Sequence, residues 1–227
     1  MKYTKLKSPV PRDVPLPYET FHFKKISVSY LPKPKTTRYV SFYKVLEKRE
    51  SRRDIRQPLL ETEISKLLWS VAKTKTVKVD KFGRRIEHRN TPSAGGIYPI
   101  DIFIIRRLIH PIKIELYNSY SHSLSEIPLE QNDYGKTFVE QINRMFNIKR
   151  ATVLIFAGQF KKTLSKYKNG ESLIWRDVGA LLENVYLVSA ALNLSCCALG
   201  PHFDDFAEAL NCAQDYIFLG GCILGRK

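Results

Sequence analysis

Hydrophobic residues recur along this chain at two different periods, and the switches between them mark out its elements. Ile64, Leu67, Leu68 and Val71 fall at i, i+3, i+4 and i+7, one face of a helix that follows Pro58. Val178, Leu181, Leu182, Val185, Val188 and Leu192 carry the same period through the longest amphipathic stretch, a core-facing helix opened by Asp177. Shorter helices are predicted from Phe42 to about Lys48, over about 136–147, and near 204–211. Residues 101–107 read as a strand, and Ile112 to Tyr120 alternates apolar and polar side chains as its antiparallel partner. Ala151 to Phe156 is continuously apolar, which predicts a fully buried strand, and a last apolar strand is predicted over 216–224. Strands and helices in this order predict an α+β fold, a mostly antiparallel central sheet flanked by helices.

Two segments break the pattern. Residues 1–40 hold Pro9, Pro11, Pro15, Pro17, Pro32 and Pro34 among many lysines. Proline at this density blocks helix and disfavours central strand. The prediction is an extended basic arm ahead of a domain over 41–227. The apolar positions Phe21, Phe23, Ile26, Val28 and Tyr30 predict partial burial, against the body or a second subunit. Residues 73–90 are polar and basic and contain Gly83, which predicts a mobile loop.

Composition narrows the class. At 227 residues the chain fits one domain with an arm. No apolar run approaches the roughly 18 residues of a membrane span, and the N-terminus shows no apolar signal-peptide core. The four cysteines, Cys196, Cys197, Cys212 and Cys222, form no CxxC and have no histidine at finger spacing. Free buried thiols in a reducing cytoplasm are therefore predicted, with no metal site. The net charge of +15 calls for an anionic partner. The positive charges are dispersed, as in Lys24, Lys25, Arg84, Arg85, Lys161 and Lys162, so a solvated basic surface is favoured over a nucleic-acid footprint.

Candidate chemistry lies in three places. Pro92-Ser93-Ala94-Gly95-Gly96 puts small side chains just before a strand, where a flat or anionic ligand can approach the backbone closely. In Arg49-x-Ser51-x-Arg53 an extended backbone points all three side chains to one face, and two guanidiniums flanking a hydroxyl can clamp a phosphate; a plain basic loop is the alternative. Lys166-Tyr167 offers a lysine that partial burial could turn into a general base and a tyrosine that could relay its proton. Cys196-Cys197 has no evident base beside it and reads as helix-end packing. His202 reads as structural.

Together these pieces resemble the nitroreductase superfamily of flavoproteins, and within it the SagB-type azoline dehydrogenases that mature thiazole- and oxazole-containing peptides. The resemblance runs from about Tyr43 to the C-terminus. It rests on Arg49-Glu50-Ser51-Arg52-Arg53, the helix around Leu67-Leu68-Trp69, Pro92-Ser93-Ala94-Gly95-Gly96-Ile97-Tyr98-Pro99, and Asp177-Val178-Gly179 with Glu183-Asn184-Val185-Tyr186-Leu187, in family order. It implies FMN, bound without a covalent link at the interface of an intertwined homodimer. By position Arg49, Ser51 and Arg53 would hold the phosphate and ribityl chain. Pro92, Ser93, Ala94 and Gly95 would lie against the isoalloxazine or ribityl group from the other subunit, and Gly200 and Arg226 would complete the site. Lys166-Tyr167 falls where the azoline dehydrogenases carry a catalytic Lys-Tyr pair. The family's Tyr-Arg pair a few residues later is replaced here by Glu171-Ser172-Leu173. The implied activity is FMN-dependent oxidation of azolines in a ribosomally made peptide, with the basic surface docking a cyclodehydratase or an acidic leader peptide. The alternatives are an NAD(P)H-dependent nitro- or quinone reductase of the same fold, and a non-catalytic scaffold subunit of a peptide-modifying complex.

Overall fold

The computed structural model of the chain describes residues 6–35, 40–129, 132–146, 148, 150–201 and 203–227; His202 lies outside the described residues. The arm contributes β1 (Val10–Pro11) and β2 (Ser27–Tyr30). After it come α1 (Phe42–Lys48), α2 (Glu61–Ala72), β3 (Thr76–Val79), β4 (Arg85–His88), β5 (Ile100–Ile105), β6 (Ile114–Asn118) and β7 (Ser123–Ile127). The second half holds α3 (Asn132–Phe146), β8 (Thr152–Gly158), α4 (Phe160–Lys166), β9 (Tyr167–Lys168), α5 (Glu171–Ala191), β10 (Ser195–Leu199), α6 (Asp204–Ala209) and β11 (Ile217–Gly225).

Seven strands form one antiparallel sheet in the order β10-β11-β8-β5-β6-β7-β2. Strand β8 lies inside it, and every one of its residues is buried, which explains its unbroken apolar run. Alternation along β5 divides the core. Ile102 and Ile104 join Leu67, Leu68 and Val71 of α2 and Val178, Leu181 and Val185 of α5. Phe103 and Ile105 join Phe138 and Ile142 of α3, Phe206 of α6 and Phe218 of β11. The fold is thus α+β, with a large antiparallel sheet flanked by helices.

Several elements differ from the sequence reading. Residues 73–90 are not a loop but a hairpin, with Thr76 opposite His88 and Val79 opposite Arg85. Asp80 closes its turn: its carboxylate accepts the backbone N–H groups of Phe82 and Arg84, each at 2.9 Å, and pairs with the Arg84 guanidinium at 2.6 Å. Helix α5 starts at Glu171 after Gly170, so Asp177 sits inside the helix rather than opening it. Cys196 and Cys197 belong to edge strand β10, opposite Leu224 and Ile223, rather than to a helix end. All four cysteines are buried and free.

The arm is seated at three places. β1 pairs with β9, and β2 pairs with β7 as the last strand of the sheet. Between them Phe23 packs edge-on against Phe103, with ring centroids 5.4 Å apart, and lies 5.4 Å from the Tyr216 ring. Ile26, Val28 and Tyr30 are exposed, against the expectation of partial burial. They belong to, or lead into, an edge strand whose side chains face out, while Leu31 just after that strand and the Phe21–Phe23 pair reach the core.

Candidate active site

The loop between β4 and β5 is hung from α5. Asp177 is buried, and its carboxylate accepts the Ser93 hydroxyl at 2.5 Å and the Ala94 backbone N–H at 3.0 Å. The Ser93 oxygen in turn accepts the Tyr98 backbone N–H at 2.9 Å, so the loop is also closed on itself. Burial pushes the Asp177 carboxyl upward, while the bonds from Ser93 and Ala94 work against that shift.

At the tip Gly95 adopts φ +63°, and a Cβ there would stand 2.7 Å from Lys166 Nζ and 2.7 Å from the Tyr167 hydroxyl oxygen. Glycine is required both for the left-handed backbone and for the approach of these two side chains. Lys166 Nζ donates to the Gly95 carbonyl at 2.9 Å. The structure therefore brings together Lys166, Tyr167 and the Pro92–Gly95 loop, which lie 71 residues apart in the chain. Burial lowers the Lys166 pKa, the nearby Arg84 guanidinium lowers it further, and Asp80 opposes them.

Lys166 ends α4 and Tyr167 opens β9, and the arm stitches this junction in place. Val10 pairs with Lys168 and Pro11 with Tyr167. The Arg12 backbone N–H donates to the Lys166 carbonyl at 2.9 Å, Arg12 Nε to the Leu164 carbonyl at 3.0 Å, and the Leu16 N–H to the Ser165 carbonyl at 2.9 Å. Sequence reasoning missed these arm contacts, the anchoring by Asp177 and the part of Arg84. Asp177 was visible only as a helix opener, and nothing local marks the other two.

A second cluster forms at the other half of α5. The Tyr186 hydroxyl accepts the Ala198 backbone N–H of β10 at 2.7 Å and shares a hydrogen bond of 3.1 Å with the Ser51 hydroxyl. The Arg49 guanidinium stands 5.7 Å over the Tyr186 ring. Arg53 lies beside Cys197, whose thiol burial pushes up and Arg53 pulls down. Arg52 pairs with Glu50 at 2.7 Å, yet neither Arg49 nor Arg53 forms an ion pair among the described residues. Two uncompensated guanidiniums flanking a hydroxyl suit a phosphate. Gly200 is exposed just past β10, with open space around it. Arg226 pairs with Gln57 through its backbone, and its side chain turns to the Pro58 carbonyl at 3.2 Å and Glu63 at 3.6 Å. Asp177 and Tyr186 are nine residues apart on α5, about 13 Å along the axis, so within one chain the two clusters meet opposite halves of that helix.

Residues 32–226 match the Nitroreductase family, and the chain belongs to it. A protein of Methanocaldococcus jannaschii named as a nitroreductase is 25% identical over 178 residues, 77% of this chain and 86% of that one. Among solved structures, one classed as a nitroreductase from Ralstonia eutropha superposes with a TM-score of 0.63 at 21% identity, covering 93% of this chain and 98% of the other. A chain of the E. coli microcin synthetase McbBCD complex, solved with truncated pro-MccB17 bound, gives 0.56 at 19% identity, covering 86% and 76%. These two share the fold. The family match starts at residue 32, so β1, β2 and the Phe21–Phe23 pair lie ahead of it. No helix among the described residues is long and apolar enough to cross a membrane.

Proposed function

We propose that this nitroreductase-family chain is an FMN-dependent dehydrogenase that oxidises azoline rings in a ribosomally made peptide to thiazoles or oxazoles. The observation that carries the reading is the convergence of Lys166 and Tyr167 on Gly95. A base with a lowered pKa stands at the loop that, by the family resemblance, lies against the isoalloxazine or ribityl group of the flavin.

The residues present fit the cofactor. Arg49 and Arg53 have no carboxylate partner among the described residues and flank Ser51, which suits the phosphate, and Gly95 leaves the backbone bare where a flat ring would approach. When bound, FMN supplies a two-electron hydride acceptor. Lys166, neutral, takes the proton from one ring carbon on Nζ, and the Tyr167 hydroxyl relays it outward. The Asp177 anchor keeps the loop from drifting away from Lys166. Because the two clusters lie at opposite halves of α5, a second copy of the chain completes each site in this reading. Phe42, Tyr43 and Leu46 of α1, all exposed, give that homodimer apolar surface to bury. The basic surface docks a cyclodehydratase or an acidic leader peptide; the E. coli synthetase complex that shares the fold was solved with a peptide precursor bound.

Lys166→Ala tests the assignment. The variant is expected to take up FMN, seen as flavin absorption in the purified protein, and to lose azoline oxidation. Normal turnover in it would remove the role. A second reading, an NAD(P)H-dependent nitro- or quinone reductase, draws on the name of the M. jannaschii relative. Steady NAD(P)H oxidation with nitroaromatics, without azoline turnover, would favour it.

A further inference from the structure

A cavity of about 650 Å³ opens beside Lys166, on the sheet face that carries Asp101. Its walls come from four directions: Tyr18, Phe21 and Phe23 of the arm, the β3–β4 hairpin, β6 with the turn that follows it, and α4 with Lys162 and Lys166. The volume falls within the range of sites that enclose small ligands. Arg49, Ser51, Arg53 and Arg226 do not line it, so it is separate from the phosphate cluster and shares only Gly95 and Lys166 with the proposed reacting centre. One wall is the arm, which precedes the segment matched to the family. That wall is fixed by the aromatic contacts of Phe23 and by the backbone bonds from Arg12 and Leu16.

Several charges in the cavity are already matched. Arg84 pairs with Asp80 and Arg89 with Glu87, each at 2.6 Å. One Asp101 oxygen accepts both Gln159 Nε2 at 2.7 Å and the Tyr216 hydroxyl at 2.6 Å. Lys25, Arg85, Lys162 and Lys166 also line it without an ion pair among the described residues, and of these Lys162 is the one set deepest beside Asp101. Its ammonium forms no ion pair among the described residues, and its hydrogen bond goes to the Tyr98 carbonyl at 3.2 Å. Burial lowers its pKa; the Asp101 and Glu87 carboxylates, neither within ion-pair distance, oppose that shift and Arg89 adds to it. A buried charge of this kind is costly unless a partner neutralises it.

We infer that this cavity binds a carboxylate-bearing ligand, its carboxylate on Lys162 Nζ and its apolar part against Tyr18, Phe21 and Phe23. In the dehydrogenase reading, on which only this placement rests, the ligand is the stretch of substrate next to the ring that meets Lys166. The carboxylate could belong to a peptide side chain or to a free small acid, and the probes separate the two.

The experiment is titration calorimetry on the full chain with three probes: a blocked hexapeptide holding one Glu, the same peptide with Gln, and benzoate. The Glu peptide is expected to bind. Lys162→Met should weaken it at least about tenfold, as loss of a buried charge partner does, whereas Lys162→Arg should stay within about threefold of the parent. Lys113→Gln, at an exposed ion pair on β6's leading edge, should change nothing. Binding of benzoate alone, sensitive to Lys162→Met, would assign the site to a free acid. Equal binding of the Glu and Gln peptides, or a Lys162→Met protein that binds as the parent does, would overturn the inference. No turnover is measured, so failure here is distinct from failure of the dehydrogenase reading, which the Lys166→Ala assay decides.

Discussion

Replacing Gly95 with alanine puts a methyl group where Lys166 and Tyr167 meet the loop. The new Cβ would stand 2.7 Å from Lys166 Nζ and 2.7 Å from the Tyr167 oxygen, too close for either to stay. Both contacts are to the ends of flexible side chains, so the fold survives and the cost is local. A non-glycine residue in the left-handed region costs about 1–2 kcal/mol. The Lys166–Gly95 carbonyl bond, at the surface, adds roughly 0.5 kcal/mol when lost. The total of about 2 kcal/mol corresponds to a fall in Tm of about 4–8 °C for a chain of this size. Activity should fall much further, about 100-fold, because moving a catalytic group by 1 Å costs about that much. Calorimetry and the rate of flavin reduction by an azoline peptide, measured on the same preparation, separate the two effects. A variant that melts with the parent and turns over at the parental rate would refute the claim that Lys166 works from its place over Gly95.

Two predictions concern pH. Arg84 helps depress the Lys166 pKa while Asp80 raises it, so Arg84→Gln removes the first influence and frees the second from its partner. Both changes raise the pKa, so the acid limb of the kcat/KM profile should move to higher pH; an unmoved limb would exclude Arg84 from tuning the base. His122 is buried between the Ser65 hydroxyl at 2.9 Å and the Tyr117 hydroxyl at 2.8 Å, and burial pulls its pKa from 6.5 down to about 4. Between those values the unfolded chain takes up a proton that the folded chain refuses. Stability is therefore lost as pH falls from about 6.5 to about 4, with an upper bound of about 3 kcal/mol. Denaturant titrations of the parent and of His122→Asn across that window should differ in slope; parallel curves would contradict the assignment.

What the sequence made legible follows from burial. Ile64, Leu67, Leu68 and Val71 were readable because all four are at most 1% exposed on one face of α2, and β8 because both its faces are covered. The β3–β4 hairpin escaped because β3 is exposed along its whole length, so no core imposes a pattern on it. β7 was hidden because Ser123 and Ser125 are buried among apolar neighbours, which blurs the alternation. In the candidate site the residue types of Arg49, Ser51, Arg53, Gly95, Lys166 and Tyr167 pointed to chemistry. The connections between sites did not show: Asp177 reaches Ser93 across 84 residues, and Lys162 draws its meaning from a cavity whose walls come from distant segments.

The most direct test of the central claim is to load the protein with FMN, exclude oxygen, add an azoline-containing peptide and follow the visible flavin bands. The account predicts that the bands bleach while an azole forms in equal amount, and that Lys166→Ala keeps the bands but does not bleach them. Bands unchanged by the azoline peptide yet bleached by NAD(P)H would contradict it and make the chain a reductase of the same family.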